Sequence, residues 1–205
     1  MKSPLSYQVS EYDCGPTSVM NALSYLFDRE EISPDIIKSV TMYCLDNYND
    51  KGEAYKSGTS DSAMWFLASW LNHFARFRKF PLFCEIVSGE SVAVSQNSRL
   101  MACLQQKGAV IAKVFLGEGH FVLLTGADAE FVYLFDPYYR RRPFTVPGIE
   151  NVAGAPLTHN RRVAWHYFNE VSRFYYSFGK PEQRGALLLY NTRTRQTADS
   201  LDYII

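Results

Sequence analysis

Two apolar runs, HFVLLTG at 120–126 and FVYLFD at 131–136, flank a break that holds Ala127-Asp128-Ala129. Each run has strand length and the break between them has hairpin length, so they read as neighbouring antiparallel strands. Both are apolar on both faces. A strand of that kind is stable only in a sheet covered on each side, so the rest of the chain must supply two covering layers.

The front of the chain supplies helices. Residues 14–27 carry Val19, Met20, Leu23, Leu26 and Phe27 near helical period, with Gly15-Pro16 at the start, where proline is tolerated. Ser33-Pro34 opens a second helix with Ile36, Ile37, Val40, Tyr43 and Cys44 along one side. Met64, Leu67, Leu71 and Phe74 mark a third, whose face Trp65, Trp70 and Phe77 are expected to widen. From residue 82 the pattern turns to strands: LFCEIV, then a connecting helix from Ser98 to Gln106, a stop at Gly108, AVIAKVFL, the hairpin, and ALLLYN at 186–191. These elements predict an α+β fold, a helical front half packed on a mainly antiparallel sheet. One domain is expected over residues 1–191. A mobile C-terminal tail is expected over 192–205, its apolar end LDYII able to dock or fray.

With 205 residues, 47% of them hydrophobic, and 21 Lys+Arg against 21 Asp+Glu, the chain is neither disordered nor a polybasic nucleic-acid tail. One domain of this size buries about 70% of its unfolded surface, so the core needs no staple. The four cysteines, at 14, 44, 84 and 103, form no CxxC pair or zinc-spaced cluster. No signal peptide and no membrane-spanning run is seen, which leads to the expectation of a cytoplasmic protein with reduced thiols and no cofactor or metal.

Cys14 stands where a loop enters the first helix, at the positive end of a helix dipole, an environment that favours the nucleophilic thiolate. His120 heads one strand of the hairpin after Gly117-Glu118-Gly119, and Asp136 ends the other. If the turn is Ala127–Ala129, opposed residues sum to 256 and His120 faces Asp136, a carboxylate placed to hold the imidazole in one tautomer. The pairing depends on register. Gln8, six residues before Cys14, carries an amide suited to an oxyanion.

The strings QVSEYDCGPTS, GHFVLLTG and VYLFDP, in this order, resemble the papain-like cysteine peptidases of the bacteriocin-processing, double-glycine-leader type, in their stand-alone form. The resemblance runs from about Gln8 to Pro137, with ALLLY matching a late strand of that fold. It implies a papain-like fold with Cys14 as nucleophile, His120 as base, Asp136 as its orienting group and Gln8 lining the oxyanion hole. It also implies hydrolysis of a peptide or protein substrate, with a leader or other extended peptide as one candidate. Ser18 stands where transporter-borne members often carry a second cysteine, and no transporter domains are present. A deamidase, transglutaminase or acyltransferase would use the same triad, and a non-catalytic papain-like peptide-binding module is a further alternative.

Cys44, Cys84 and Cys103 read as buried small hydrophobes, and His73 as a packed or surface histidine. His159 and His166 lie in a segment, 137–184, rich in Arg, Tyr and Phe. Asp13 is either a helix N-cap or a like charge beside the thiol. The zero net charge is a cancellation: residues 1–62 hold five basic against ten acidic groups, and residues 137–184 hold eight against three. Arg140, Arg141, Arg142, Arg161 and Arg162 are candidates for a basic rim, or pair with the acidic half. No nucleic-acid motif accompanies them.

Overall fold

A computed structural model describes residues 1–197. Helix α1 spans Cys14–Leu26, α2 spans Pro34–Tyr43 and α3 spans Asp61–Arg78. The starts of α2 and α3 are set by serines. Ser33 accepts from the Asp35 amide at 3.3 Å with Pro34 at the first helical position, and Ser60 accepts from the Ala63 amide at 2.9 Å. Helix α3 buries Met64, Leu67, Ala68, Leu71 and Ala75 and ends on Lys79 in the left-handed conformation. Its aromatic face is narrower than the sequence suggests. Trp70 packs on the core, but Trp65 is partly exposed and Phe77 is 75% exposed.

Seven strands follow: β1 Leu82–Ser88, β2 Ala109–Leu116, β3 Glu118–Ala127, β4 Phe131–Phe135, β5 Ile149–Asn151, β6 Arg161–Ala164 and β7 Gly185–Asn191. Helix α4, Arg99–Gln105, leads into β2, and a single-turn helix α5, Trp165–Phe168, follows β6. The strands form one antiparallel sheet in the order β1-β7-β2-β3-β4-β6-β5. The protein is therefore α+β.

Both faces of the sheet are covered, as the doubly apolar runs require. Alternate residues Ile111, Phe121, Leu123, Phe135, Leu187 and Leu189 join the core under α1–α3. Val110, Val114, Val122, Leu124, Leu134 and Leu188 join a second core with Val163, Phe168, Tyr176 and Phe178. Strand β7, at an interior position, is buried along its whole length. The segment 137–184 supplies β5, β6 and α5, which no apolar periodicity announced.

The start of the expected tail is tied down. The Thr192 amide donates to the Pro81 carbonyl, the Gln196 amide to Gln106, and the Arg195 guanidinium lies 3.9 Å from the centre of the Tyr190 ring. The LDYII end lies outside the described residues. Among the described residues no helix is long and apolar enough to cross a membrane.

Candidate active site

Cys14 is the first residue of α1, 8% exposed. Two contacts fix where that helix start lies. One turn on, the buried Ser18 hydroxyl donates to the Phe121 carbonyl at 3.0 Å, which sets α1 against β3 one residue beyond His120. Gly15 lets the loop before α3 come close. A Cβ at this position would stand 2.2 Å from Thr59 Oγ1, so no side chain fits.

Asp13 takes the N-cap position without capping the helix. Its carboxylate turns back and accepts from the Val9 amide, the Ser10 amide and the Ser10 hydroxyl at 2.9, 2.7 and 2.6 Å. Burial pushes its pKa up, but these hydrogen bonds win and hold the carboxyl below its ordinary value. The Gln8 Nε2 donates to the Ser10 carbonyl at 2.7 Å within the same turn, and Gln8 Oε1 is buried with no protein partner. The arm carrying Gln8 is clamped on both sides. Asn21 of α1 exchanges hydrogen bonds of 2.8 and 2.9 Å with the Ser6 backbone, and the Gln8 amide donates to the Pro137 carbonyl at 2.9 Å.

His120 and Asp136 meet, with Nε2 2.7 Å from Asp136 Oδ1. The register differs from the expected one. The turn falls one residue later because Asp128 accepts from the Glu130 and Phe131 amides at 2.9 and 2.7 Å, so Ala127 pairs with Val132. A bulge between Leu124 and Gly126 then resets the ladder, so that Leu123 pairs with Phe135. Opposed residues there sum to 258, not 256, and Asp136 lies diagonally to His120. A net slip of two residues leaves both side chains on the same face, which is why the pair survives the error.

The His120 side chain is 14% exposed and that of Asp136 3%. Burial pulls the imidazole pKa down, but the Asp136 charge, its hydrogen bond and the hydrogen bond with Cys14 outweigh that and raise it to about 10. Burial likewise works against the Asp136 carboxylate. His120, the Tyr176 hydroxyl and the Tyr138 amide overcome it and hold the carboxyl below its ordinary value. Because Nε2 faces Asp136, Nδ1 is the ring nitrogen left for Cys14.

Three residues around Asp136 were not linked to it by the sequence. The Tyr176 hydroxyl donates to Asp136 Oδ2 at 2.7 Å. Asn160 accepts from the Asp136 amide and donates to its carbonyl, both at 2.8 Å. Arg161 is buried and donates to the Asn160 carbonyl at 2.8 Å. Asn160 immediately precedes β6, Arg161 opens it and Tyr176 lies in the loop before β7, where neither period nor motif marks them.

Gln8, Cys14 and His120 line one cleft of about 1100 Å³ between the 47–61 loop and the β2–β3 turn. Of the candidate arginine rim, Arg140 lines this cleft, joined by Arg173. Arg161 is buried, and Arg162 pairs with Glu150 at 3.1 Å and lies over the Phe131 ring. His73 is exposed, while His159 stacks on Tyr133 and His166 packs at a tilt against Tyr167, both outside the cleft lining. Cys44, Cys84 and Cys103 are buried; burial pushes the Cys44 and Cys103 thiols up to about 12 and that of Cys84 higher still. Among the described residues no group of three or more His, Cys, Asp and Glu side chains is placed to hold a metal ion.

An α+β chain whose cleft is lined by a thiol, an imidazole and a side-chain amide, with a buried carboxylate behind the imidazole, has the parts of a cysteine hydrolase. Residues 2–151 match the sequence profile of the Peptidase C39-like family, and the chain belongs to that family. The membership points to a cysteine peptidase acting on peptides. No curated protein matches the chain.

Proposed function

We propose that the protein is a cysteine peptidase, one papain-like domain over residues 1–191, that hydrolyses peptide bonds through Cys14, His120 and Asp136. The observation that carries the reading is the 2.7 Å His120–Asp136 bond in the cleft that Cys14 lines, with Nδ1 of the same ring free for the thiol. The raised imidazole pKa keeps His120 protonated at neutral pH, which sets a positive charge beside the Cys14 sulfur.

Cys14 Sγ attacks the scissile carbonyl carbon, and the oxyanion forms between the Cys14 amide and the Gln8 side chain. One Gln8 Nε2 proton is held by Ser10, and the second is available to the oxyanion. His120 then gives its proton to the leaving amine, which departs and leaves a thioester on Cys14. The neutral imidazole takes a proton from water, the resulting hydroxide equivalent attacks the thioester, and the acid product leaves with the Cys14 sulfur and the protonated His120 restored. Asp136 keeps the ring in one orientation throughout. An extended peptide suits an open cleft of this volume, and a leader peptide is one such substrate.

Iodoacetamide near pH 7 is expected to label Cys14, and Cys14→Ala to abolish both that labelling and the appearance of new termini in a peptide library read by mass spectrometry. Equal labelling of the variant refutes the assignment. Ammonia release from glutamine peptides without new termini moves the reaction to deamidation.

A further inference from the structure

Asp136 has two carboxylate oxygens, and the site reading uses only Oδ1, which faces His120 and the Tyr138 amide. The other is taken by a side chain outside the residues that match the family. Tyr176 is fully buried, and its hydroxyl donates to Oδ2 at 2.7 Å, with the charge of the buried Arg161 nearby. A hydroxyl in such a place commonly finds a backbone carbonyl. Here it continues a chain running Tyr176, Asp136, His120, with Arg161 close behind.

The backbone is shaped to deliver it. Tyr175 and Tyr176 both have positive φ, +52° and +64°, in a region that side-chain-bearing residues seldom occupy. The Tyr176 amide donates to the Phe115 carbonyl at 2.9 Å, and the Phe115 amide to Ser177 at 2.8 Å. Phe115 follows Val114, which pairs with His120 across β2 and β3. Strand β2 therefore sets the position of both His120 and Tyr176, the groups that grip Asp136 from either side. Strained backbone held by its surroundings at such a point indicates a functional constraint.

We propose that Tyr176 is a positioning residue of the active site, with Arg161 behind it. Its hydroxyl holds Oδ2 so that Oδ1 stays aimed at His120 Nε2 and Nδ1 stays aimed at Cys14. The role rests on the peptidase reading, but its first test needs no substrate. In a chain carrying Cys14→Ala, the His120 Nε2 proton is followed by NMR at pH 7, with four histidines to assign and His120→Asn to identify the signal. Expected is one downfield, slowly exchanging resonance. Tyr176→Phe should speed its exchange at least ~10-fold, and with Cys14 present should slow iodoacetamide labelling by ~10-fold, the scale on which removing an orienting partner acts.

Phe144→Leu is the control, since Phe144 packs on the Tyr176 ring and has no group to hydrogen-bond its hydroxyl. It should loosen the fold but keep the resonance. Where Tyr176→Phe does not fold, Arg161→Gln should move the same two readouts in the same direction, less far. A resonance unchanged in the hydroxyl or guanidinium variant, or lost equally in Phe144→Leu, overturns the proposal. If Cys14 is not labelled in the parent chain, the peptidase reading fails instead, and the resonance still decides the part played by Tyr176.

Discussion

Gly15→Ala tests how tightly the wall of the cleft is built against the nucleophile's helix. In an open helix the change stabilises by about 0.5–1 kcal/mol, because alanine has less backbone entropy to lose. Here the added methyl would stand 2.2 Å from Thr59 Oγ1, 2.6 Å from its Cβ and 3.0 Å from its Cγ2. A clash with Cβ cannot be relieved by a rotamer change, so the loop itself must withdraw. Its next residue, Ser60, caps α3 and bonds to Asp46, so withdrawal strains both. Overpacking of this kind costs about 1–3 kcal/mol, larger than the propensity gain, and the expected net effect is destabilisation. Urea denaturation of Gly15→Ala, Thr59→Gly and the double variant forms a cycle with an expected coupling of at least ~1 kcal/mol, the double variant regaining most of the loss. Labelling of Cys14 should fall in the single variant and recover in the double. A Gly15→Ala protein as stable as its parent, or a coupling indistinguishable from zero, refutes the reasoning.

The His120–Asp136 pair should also shape stability against pH. His120 is raised from 6.5 to about 10, so its contribution is fully present below about pH 6.5 and is lost as pH rises through 10. Asp136 is lowered from 3.8, so its contribution is present above that value and is lost as pH falls through the folded value. Urea midpoints from pH 3 to 10 should show both limbs, and Asp136→Asn should flatten them; parallel profiles count against the pair. For the thiols, peptide mapping after labelling of the folded chain should find Cys14 alone, with Cys44, Cys84 and Cys103 modified only in denaturant. Labelling of Cys84 in the folded chain at the rate of Cys14 would contradict its burial.

The elements that were legible are those whose apolar period or opening residues are strong: α1, α2, α3 and α4, β1, the runs of β2, β3 and β4, and β7. Register was legible only modulo two. The alternation of faces is encoded by side chains, whereas the turn position depends on Asp128 choosing the Glu130 and Phe131 amides, and the bulge on a single extra residue at Thr125. Gly126 inside an apolar run was the one signal that a bulge was near. Strands β5 and β6 are three and four residues long, and β6 opens on Arg161-Arg162, so no alternation marks them. Tyr176 was illegible for another reason: left-handed backbone is signalled by glycine or asparagine, and two tyrosines give no such sign. Arg161 joined the other arginines by composition, though it lies under Tyr176 while Arg140 faces the cleft.

The place of β7 in the sheet has a consequence for the order in which the molecule comes into being. Residues 185–191 are the last of the strands along the chain, yet they lie between β1 and β2. As the ribosome delivers the chain, β1 waits unpaired on that side, and β2 with β3 and β4 forms a separate patch, until this strand arrives and inserts. The waiting intermediate exposes two strand edges lined with Leu, Ile and Val, the kind of surface that chaperones bind and that aggregates. Closure is a long-range event and correspondingly slow. A nascent chain stopped before residue 185 would hold every residue of the proposed triad while lacking the strand that joins the two halves of its sheet.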